Sequence, residues 1–197
     1  METLSVAAGV HALIFDCDGT LADSLPLHFE VWQESFEELG LQCPLEFLYE
    51  MSGVPTLQTV VLYNERFGTQ VDPHSFARDK EARATRRLHG VQGFSETVEL
   101  ARVHHGKLPM AVVSGGIREH VTTTLAALGI QELFETLLTA SDPFAPKPAP
   151  DLFLEAARRL GTAPERCQVF EDADKGLQAA RAAGMVATDV RPFLQNP

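Results

Sequence analysis

Asp16 and Asp18 stand two residues apart in Asp16-Cys17-Asp18-Gly19-Thr20-Leu21, directly after the apolar run Ala12-Leu13-Ile14-Phe15. A carboxylate at the mouth of a buried strand projects into the crevice beyond the carboxyl edge of a sheet, where open α/β sheets bind ligands. There it can attack a phosphoryl group as a covalent nucleophile, and a second carboxylate beside it can carry a proton. Gly19 suits a tight turn at positive φ. The plain alternative is a cluster of Asx turns that only ends the strand.

Three further groups have the same arrangement of an apolar run followed by chemistry-bearing residues. Ser114-Gly115-Gly116 follows Ala111-Val112-Val113. A hydroxyl and bare backbone N–H groups where a strand gives way to a helix make a phosphate cradle, or simply an N-cap and a flexible turn. Lys147 lies in Pro146-Lys147-Pro148-Ala149-Pro150, whose prolines stiffen the loop. It is either a solvated loop lysine or the cation that balances a carboxylate and a phosphate. Glu171-Asp172 follows Val169-Phe170. With Asp16 these acids would bind a hard divalent cation such as Mg²⁺; otherwise they offset the dipole of the next helix, a task open also to Asp174. Each group is weak alone. The four together, in this order, are specific.

The elements that must position these groups are legible as alternation. Ala12–Phe15, Met110–Val113, Cys167–Phe170 and Met185–Val190 read as buried strands. Between them, Ile117, Val121, Leu125 and Leu128 form a helical stripe closed by Gly129. Leu152, Phe153, Ala156, Ala157 and Leu160 form one closed by Gly161, and Leu177, Ala180 and Ala183 one closed by Gly184. Strands alternating with helices predict a doubly wound parallel α/β sheet. From Ser24 to about Gly90 the pattern is helical only. Phe29, Trp32, Phe36 and Leu39 form one stripe, and Leu57, Val60, Val61 and Phe67 a second. Phe76 to Leu88 forms a third helix with an Arg-rich face. Residues 24–90 are therefore expected to be a helical cap inserted into a core of residues 1–23 and 91–197, with both junctions close to Asp16.

The chain of 197 residues carries a net charge of −11, which argues against nucleic acid and anionic membranes as partners. Cys17, Cys43 and Cys167 make an odd set without metal-ligand spacing, as expected of reduced thiols in a reducing compartment. No signal-peptide pattern or membrane-length apolar run is read, so a cytoplasmic location is expected. No interface segment stands out, and a monomer is expected.

In these motifs the chain resembles the haloacid dehalogenase-like hydrolase superfamily. The likeness rests on Asp16-Cys17-Asp18-Gly19-Thr20, Ser114, Lys147 and Glu171-Asp172. The insertion after the first motif resembles the helical cap of the β-phosphoglucomutase-like branch. The segments Val169 to Val190 and Ser52-Gly53-Val54-Pro55-Thr56 are most similar to bacterial fructose-1-phosphatase-type phosphosugar phosphatases. The resemblance implies a Rossmann-like core with an inserted cap, and it implies roles. Asp16 is the nucleophile and becomes an aspartyl phosphate. Asp18 protonates the leaving sugar oxygen and then activates water. Ser114 and Lys147 hold the phosphoryl oxygens, with Gly115 beside them. Mg²⁺ is held by Asp16, the Asp18 backbone carbonyl and Asp172, with Glu171 in support. Cys17 replaces a larger apolar residue and should point into the core.

In the cap, the resemblance implies that His28 positions Asp18 or the substrate, that Lys80 faces the cleft, and that Gly53 lies in the substrate loop. Trp32 is read as cap core. Ser52 and Thr56 stand where a mutase has basic residues for a second phosphate. The expected activity is therefore Mg²⁺-dependent hydrolysis of a small phosphorylated metabolite, with fructose 1-phosphate as the leading substrate. The alternatives are a β-phosphoglucomutase-like mutase and a non-catalytic sugar-phosphate sensor.

Overall fold

Ala12–Phe15, four apolar residues in a row, form the fully buried strand β1. A strand covered on both faces needs no polar alternation. The computed structural model of the chain describes residues 3–194; the outermost positions of the expected core, 1–2 and 195–197, lie outside the described residues.

After β1 come α1 (Leu25–Glu37), α2 (Leu45–Glu50), α3 (Thr56–Phe67), α4 (Pro73–Thr85) and α5 (Ser95–His104). Strands and helices then alternate: β2 (Met110–Val113), α6 (Arg118–Ala127), β3 (Thr136–Leu138), α7 (Asp151–Arg159), β4 (Cys167–Glu171), α8 (Asp174–Ala182) and β5 (Val186–Asp189). The sheet order is β3-β2-β1-β4-β5 and every pairing is parallel. β1 lies at the centre, and the order reverses beside it, between β1 and β4. The carboxyl end of β1 therefore opens at the switch point of the sheet.

Helices cover both faces. Leu152, Phe153 and Ala156 of α7 and Ala179 and Ala180 of α8 pack with Ile14 and Val169 on one face. Val98 of α5 and Val121 and Leu125 of α6 pack with Leu13, Phe15 and Phe170 on the other. Phe15 and Phe170 stack across β1 and β4, their ring centroids 4.8 Å apart. The doubly wound α/β fold is as the sequence predicts. Cys17 is fully buried in this second cluster, and burial, then the charges of Asp18 and Asp16, push its thiol well up, so it is unreactive.

Helices α1 to α4 have a hydrophobic cluster of their own, built on Phe29, Trp32, Phe36, Phe47, Val60, Tyr63 and Phe76. Two of the expected stripes need correcting. Leu39 lies past the end of α1 and is exposed, and Leu57, Val61 and Phe67 of α3 are exposed as well. The buried face of α3 is Thr59, Val60 and Tyr63; Thr59 and Tyr63 are half-polar side chains that an apolar count passes over. Helices α2 and α5 and strand β3 were not anticipated. The chain leaves the sheet and returns to it along two strands of backbone that run side by side. Asp23 N–H donates to Gln92 O at 2.9 Å, and Phe94 N–H donates to Leu21 O at 3.0 Å.

Candidate active site

Each sequence motif falls at the carboxyl end of a strand. Asp16 follows β1, Ser114 follows β2, and Glu171 ends β4 with Asp172 next to it. Lys147 comes from the proline-stiffened loop before α7. Its Nζ is buried and donates to Asp16 Oδ1 at 2.6 Å, Glu171 Oε2 at 2.7 Å and Val113 O at 3.1 Å. An ammonium has three N–H donors, so this lysine is fully engaged. Burial alone would discharge it, but the charges of Asp16 and Glu171 hold it above the ordinary lysine range.

Three buried carboxylates surround that one cation. Asp16, Glu171 and Asp172 bring ligand oxygens within 4.8 Å of one another. Burial, then the charge of Glu171, pushes Asp16 well up, and the same causes in the same order push Asp172 up to about 7. The surplus of buried negative charge and the hard oxygen donors fit Mg²⁺. Glu171 is the most occupied of the three, since Oε1 accepts from Ala173 N–H at 2.9 Å while Oε2 accepts from Lys147. Asp172 Oδ1 accepts from Thr20 Oγ1 at 2.8 Å. Gly19 has φ +88°, and a Cβ there would meet Asp172 Oδ2 at 2.3 Å, so both the turn and the carboxylate require glycine. The task of offsetting the dipole of α8 falls to Asp174, in its first turn.

Asp18 faces differently from Asp16. Its Oδ1 accepts from Ser24 Oγ at 2.5 Å and lies 3.3 Å from His28 Nε2. Burial raises its pKa, but the bonds to His28 and Ser24 and the nearby His120 outweigh burial and hold it below the usual carboxylate range. Ser114 Oγ accepts from Gly116 N–H at 3.0 Å.

A match to the haloacid dehalogenase-like hydrolase family spans residues 13–190. The chain belongs to that family. It is an enzyme, a hydrolase of the phosphatase kind. Over 180 residues it is 41% identical to the fructose-1-phosphate phosphatase YqaB of Escherichia coli (strain K12), covering 91% of this chain and 95% of that one. It is 26% identical to a phosphorylated carbohydrates phosphatase of Thermotoga maritima, covering 89% and 82% of the two chains. Among solved structures, the β-phosphoglucomutase of Clostridium difficile superposes with a TM-score of 0.83 at 21% identity, over 91% of this chain and 84% of that chain. No helix among the described residues is long and apolar enough to cross a membrane.

Helices α1, α3 and α4 lie over the sheet edge. A cavity of about 90 Å³ between them is lined by Asp16, Asp18, Ser114 and Asp172 below and by His28, Trp32 and Lys80 above. Further contacts join these helices to the core. Gly53 O, in the Ser52–Val54 loop, is so close to Gly115 that a Cβ there would lie 2.4 Å away. Lys175 Nζ of α8 donates to Glu50 O at 2.9 Å. His120 Nε2 of α6 lies 2.9 Å from Glu81 O of α4.

All of the sequence-derived candidates, Asp16, Asp18, His28, Gly53, Lys80, Ser114, Gly115, Lys147, Glu171 and Asp172, lie around this cavity or against its carboxylates. The Asp18 carboxylate is not part of the cluster formed by Asp16, Glu171 and Asp172. Sequence reasoning missed Ser24, Glu81 and His120. Ser24 sits at the N-cap of α1 yet spends its hydroxyl on Asp18 rather than on the helix. No spacing rule links Glu81 to His120, which are 39 residues apart on different sides of the cleft.

Proposed function

We propose that the chain is a Mg²⁺-dependent phosphatase that hydrolyses the monophosphates of small sugars, fructose 1-phosphate foremost, through an aspartyl phosphate on Asp16. Residues 24–90 are its cap and residues 1–23 and 91–197 its core. The observation that carries this reading is the division of labour at the end of β1. Asp16 is bound into the Lys147 and acid cluster, while Asp18, two residues on, faces the cap with His28 and Ser24. One carboxylate is fixed for attack and the other is placed for proton transfer. The 41% identity to a fructose-1-phosphate phosphatase supports the substrate class.

An oxygen of Asp16 attacks phosphorus, the bond from phosphorus to the sugar oxygen breaks, and Asp18 gives that oxygen a proton. Asp18 then takes a proton from water, which attacks the same phosphorus and frees Asp16. Ser114 Oγ–H and the Gly115 N–H after it bind the phosphoryl oxygens, and Lys147 supplies positive charge beside them. Asp16, the Asp18 carbonyl and Asp172 would hold Mg²⁺, with Glu171 behind them; when bound, the ion neutralises the phosphoryl charge. Asp18 starts as an anion, so it must take up a proton as the phosphate dianion approaches. His28 is the adjacent group whose bond to Asp18 must weaken for that to happen.

The test is phosphate release from a panel of phosphorylated metabolites, with Mg²⁺ and with chelator, paired with trapping of a phosphorylated protein. Turnover of sugar monophosphates that stops in chelator, and a trapped phosphoprotein lost in Asp16→Asn, are expected. Turnover by Asp16→Asn, or full activity in chelator, would sink the reading.

A further inference from the structure

His120, on the core helix α6, takes no part in the hydrolysis just described, yet it is buried, 2% exposed, and lines the same cavity as Asp16 and Asp18. Both of its ring nitrogens are turned to a single residue of α4. Nε2 lies 2.9 Å from the main-chain oxygen of Glu81, and Nδ1 lies 2.9 Å from Glu81 Oε2. A carbonyl oxygen only accepts, so Nε2 carries a proton and donates. Glu81 is held from its other side as well: Oε1 accepts from Thr56 Oγ1 and lies 3.4 Å from Lys80 Nζ. Burial raises Glu81, but Lys80, His120 and Thr56 bring it down to about 2, so it is an anion that faces Nδ1. Contact at two atoms, one of the main chain and one of the side chain, fixes the rotation of the imidazole as well as its distance from α4.

The ring so fixed is the surface against which His28 rests. The two imidazoles stack with centroids 5.8 Å apart and planes 30° from parallel. His28 belongs to the first turn of α1, and its Nε2 lies 3.3 Å from Asp18 Oδ1. That distance is at the long end of a hydrogen bond, so a small shift of the His28 ring decides whether the bond is made. One core side chain thus touches both cap helices beside Asp18, α4 through Glu81 and α1 through His28. The other contacts between these helices and the core differ in this respect. Those of Gly115 and Lys175 end on the backbone of Gly53 and Glu50, whereas the contacts of His120 lead to the ring that touches Asp18.

We propose that His120 is a positioning residue for the proton transfer: it anchors α4 through Glu81, backs the ring of His28, and so sets where the Asp18 carboxylate stands against the leaving oxygen. This inference rests on the phosphatase reading above. It gives α6, a helix of the core, a part in the chemistry that reaches the acid only by way of the cap.

A residue that acts through Asp18 should matter only while Asp18 is present, and that separates positioning from a general loss of packing. The measurement is the single-turnover rate of phosphorylation of the protein at saturating fructose 1-phosphate, by rapid quench, in the unaltered enzyme, His120→Leu, Asp18→Ala and the double variant. His120→Leu keeps the bulk and removes both contacts to Glu81 and the stack. It should slow phosphorylation by roughly 10-fold, up to the 10²-fold that a 1 Å misplacement can cost. In the Asp18→Ala background the same change should cost far less, because residues that act as a unit are not additive. His120→Gln, whose amide N–H still reaches Glu81 O, should recover part of the loss. Equal slowing in the two backgrounds would overturn the proposal, since His120 would then act on packing or on the phosphate. So would an unchanged rate in His120→Leu, or a His120→Gln variant as slow as His120→Leu. If His120→Leu does not fold, His120→Gln carries the same cycle, and additivity there overturns the proposal equally. If the unaltered enzyme forms no phosphoprotein and releases no phosphate, the phosphatase reading itself fails; if it does both and the cycle is additive, only this inference fails.

Discussion

Two buried lysines, Lys147 in the core and Lys80 in the cap, each sit beside buried acid, and the two neighbourhoods behave in opposite ways. Around Lys147 there are three carboxylates, and burial with mutual repulsion pushes Asp16 and Asp172 up. Around Lys80 there is one, and Glu81 is brought down to about 2 despite its burial. The ingredients are the same; the ratio of acids to cations differs. An excess of anions makes a site that wants a divalent cation. A balanced pair makes one that asks for no further ion. One cavity thus presents a floor rich in uncompensated acid and a roof whose buried acid is paired.

Lys147→Met should break the floor outright. It leaves three buried acids without their cation, and removing one partner of a buried pair costs about 3–5 kcal/mol. Urea denaturation should show that loss together with no measurable turnover. Lys80→Met leaves Glu81 with Thr56 and His120, so its loss of stability should be about 1–3 kcal/mol, the range for an unsatisfied buried group. Equal losses would mean that the two neighbourhoods are not distinct. Asp18→Ala comes next. Loss of acid–base help costs about 10²–10⁴-fold, and it should fall harder on a sugar phosphate than on an aryl phosphate, whose leaving group needs less protonation. An equal effect on both would count against proton transfer by Asp18.

The raised acids set a pH dependence that separates floor from roof. In the metal-free protein, Asp172 binds its proton more tightly folded than unfolded. Its contribution to stability is therefore greatest at low pH and declines as pH rises from the ordinary carboxylate value through about 7. Mg²⁺ competes with those protons. Its affinity should weaken as pH falls below about 7, and its binding near neutrality should release protons, measurable by calorimetry in buffers of different ionisation enthalpy. Glu81 contributes the opposite way, and its stabilisation is lost only as pH falls from the ordinary carboxylate value through about 2. Mg²⁺ affinity that is flat from pH 8 to 5.5 would contradict the assignment of the acid cluster.

What was legible in the sequence was the floor. Asp16, Ser114, Lys147 and Asp172 each follow a run of buried apolar residues or a rigid loop, so the backbone fixes where they point, and local pattern is enough to find them. β3 was missed because Thr136–Leu138 is only three residues long and two of them are half-buried, too short for any periodicity. The cap stripes hold at Phe29, Trp32, Phe36 and Val60 but not at Leu39, Leu57, Val61 and Phe67, which are apolar yet exposed, while Thr59 and Tyr63 carry the contact beside Val60. The roof was the least legible part. Glu81 and His120 meet only because α4 lies over α6, and that docking is decided by tertiary packing rather than by any neighbour in the chain. Lys80 was found by resemblance, but its partner, the next residue, was not, because a solvated helix face also alternates charges.

The mildest intervention addresses how floor and roof are joined. Gly115 is proposed as part of the phosphate cradle, yet what demands glycine there is the cap: a methyl group would collide with Gly53 O. In Gly115→Ala the backbone of the Ser52–Val54 loop must move away, and the cap with it. The cradle N–H is unchanged, so Mg²⁺ affinity should stay close to that of the unaltered enzyme, while the displaced loop backbone lowers thermal stability. Turnover of a sugar monophosphate should fall by roughly 10-fold, up to the 10²-fold that a 1 Å misplacement can cost, because the cap no longer sits in register over Asp16 and Asp18. An aryl phosphate, which needs few contacts with the cap, should lose much less. If both substrates lose equally, Gly115 acts through the phosphate alone, and the loop of Gly53 is not the joint between the two halves of the site.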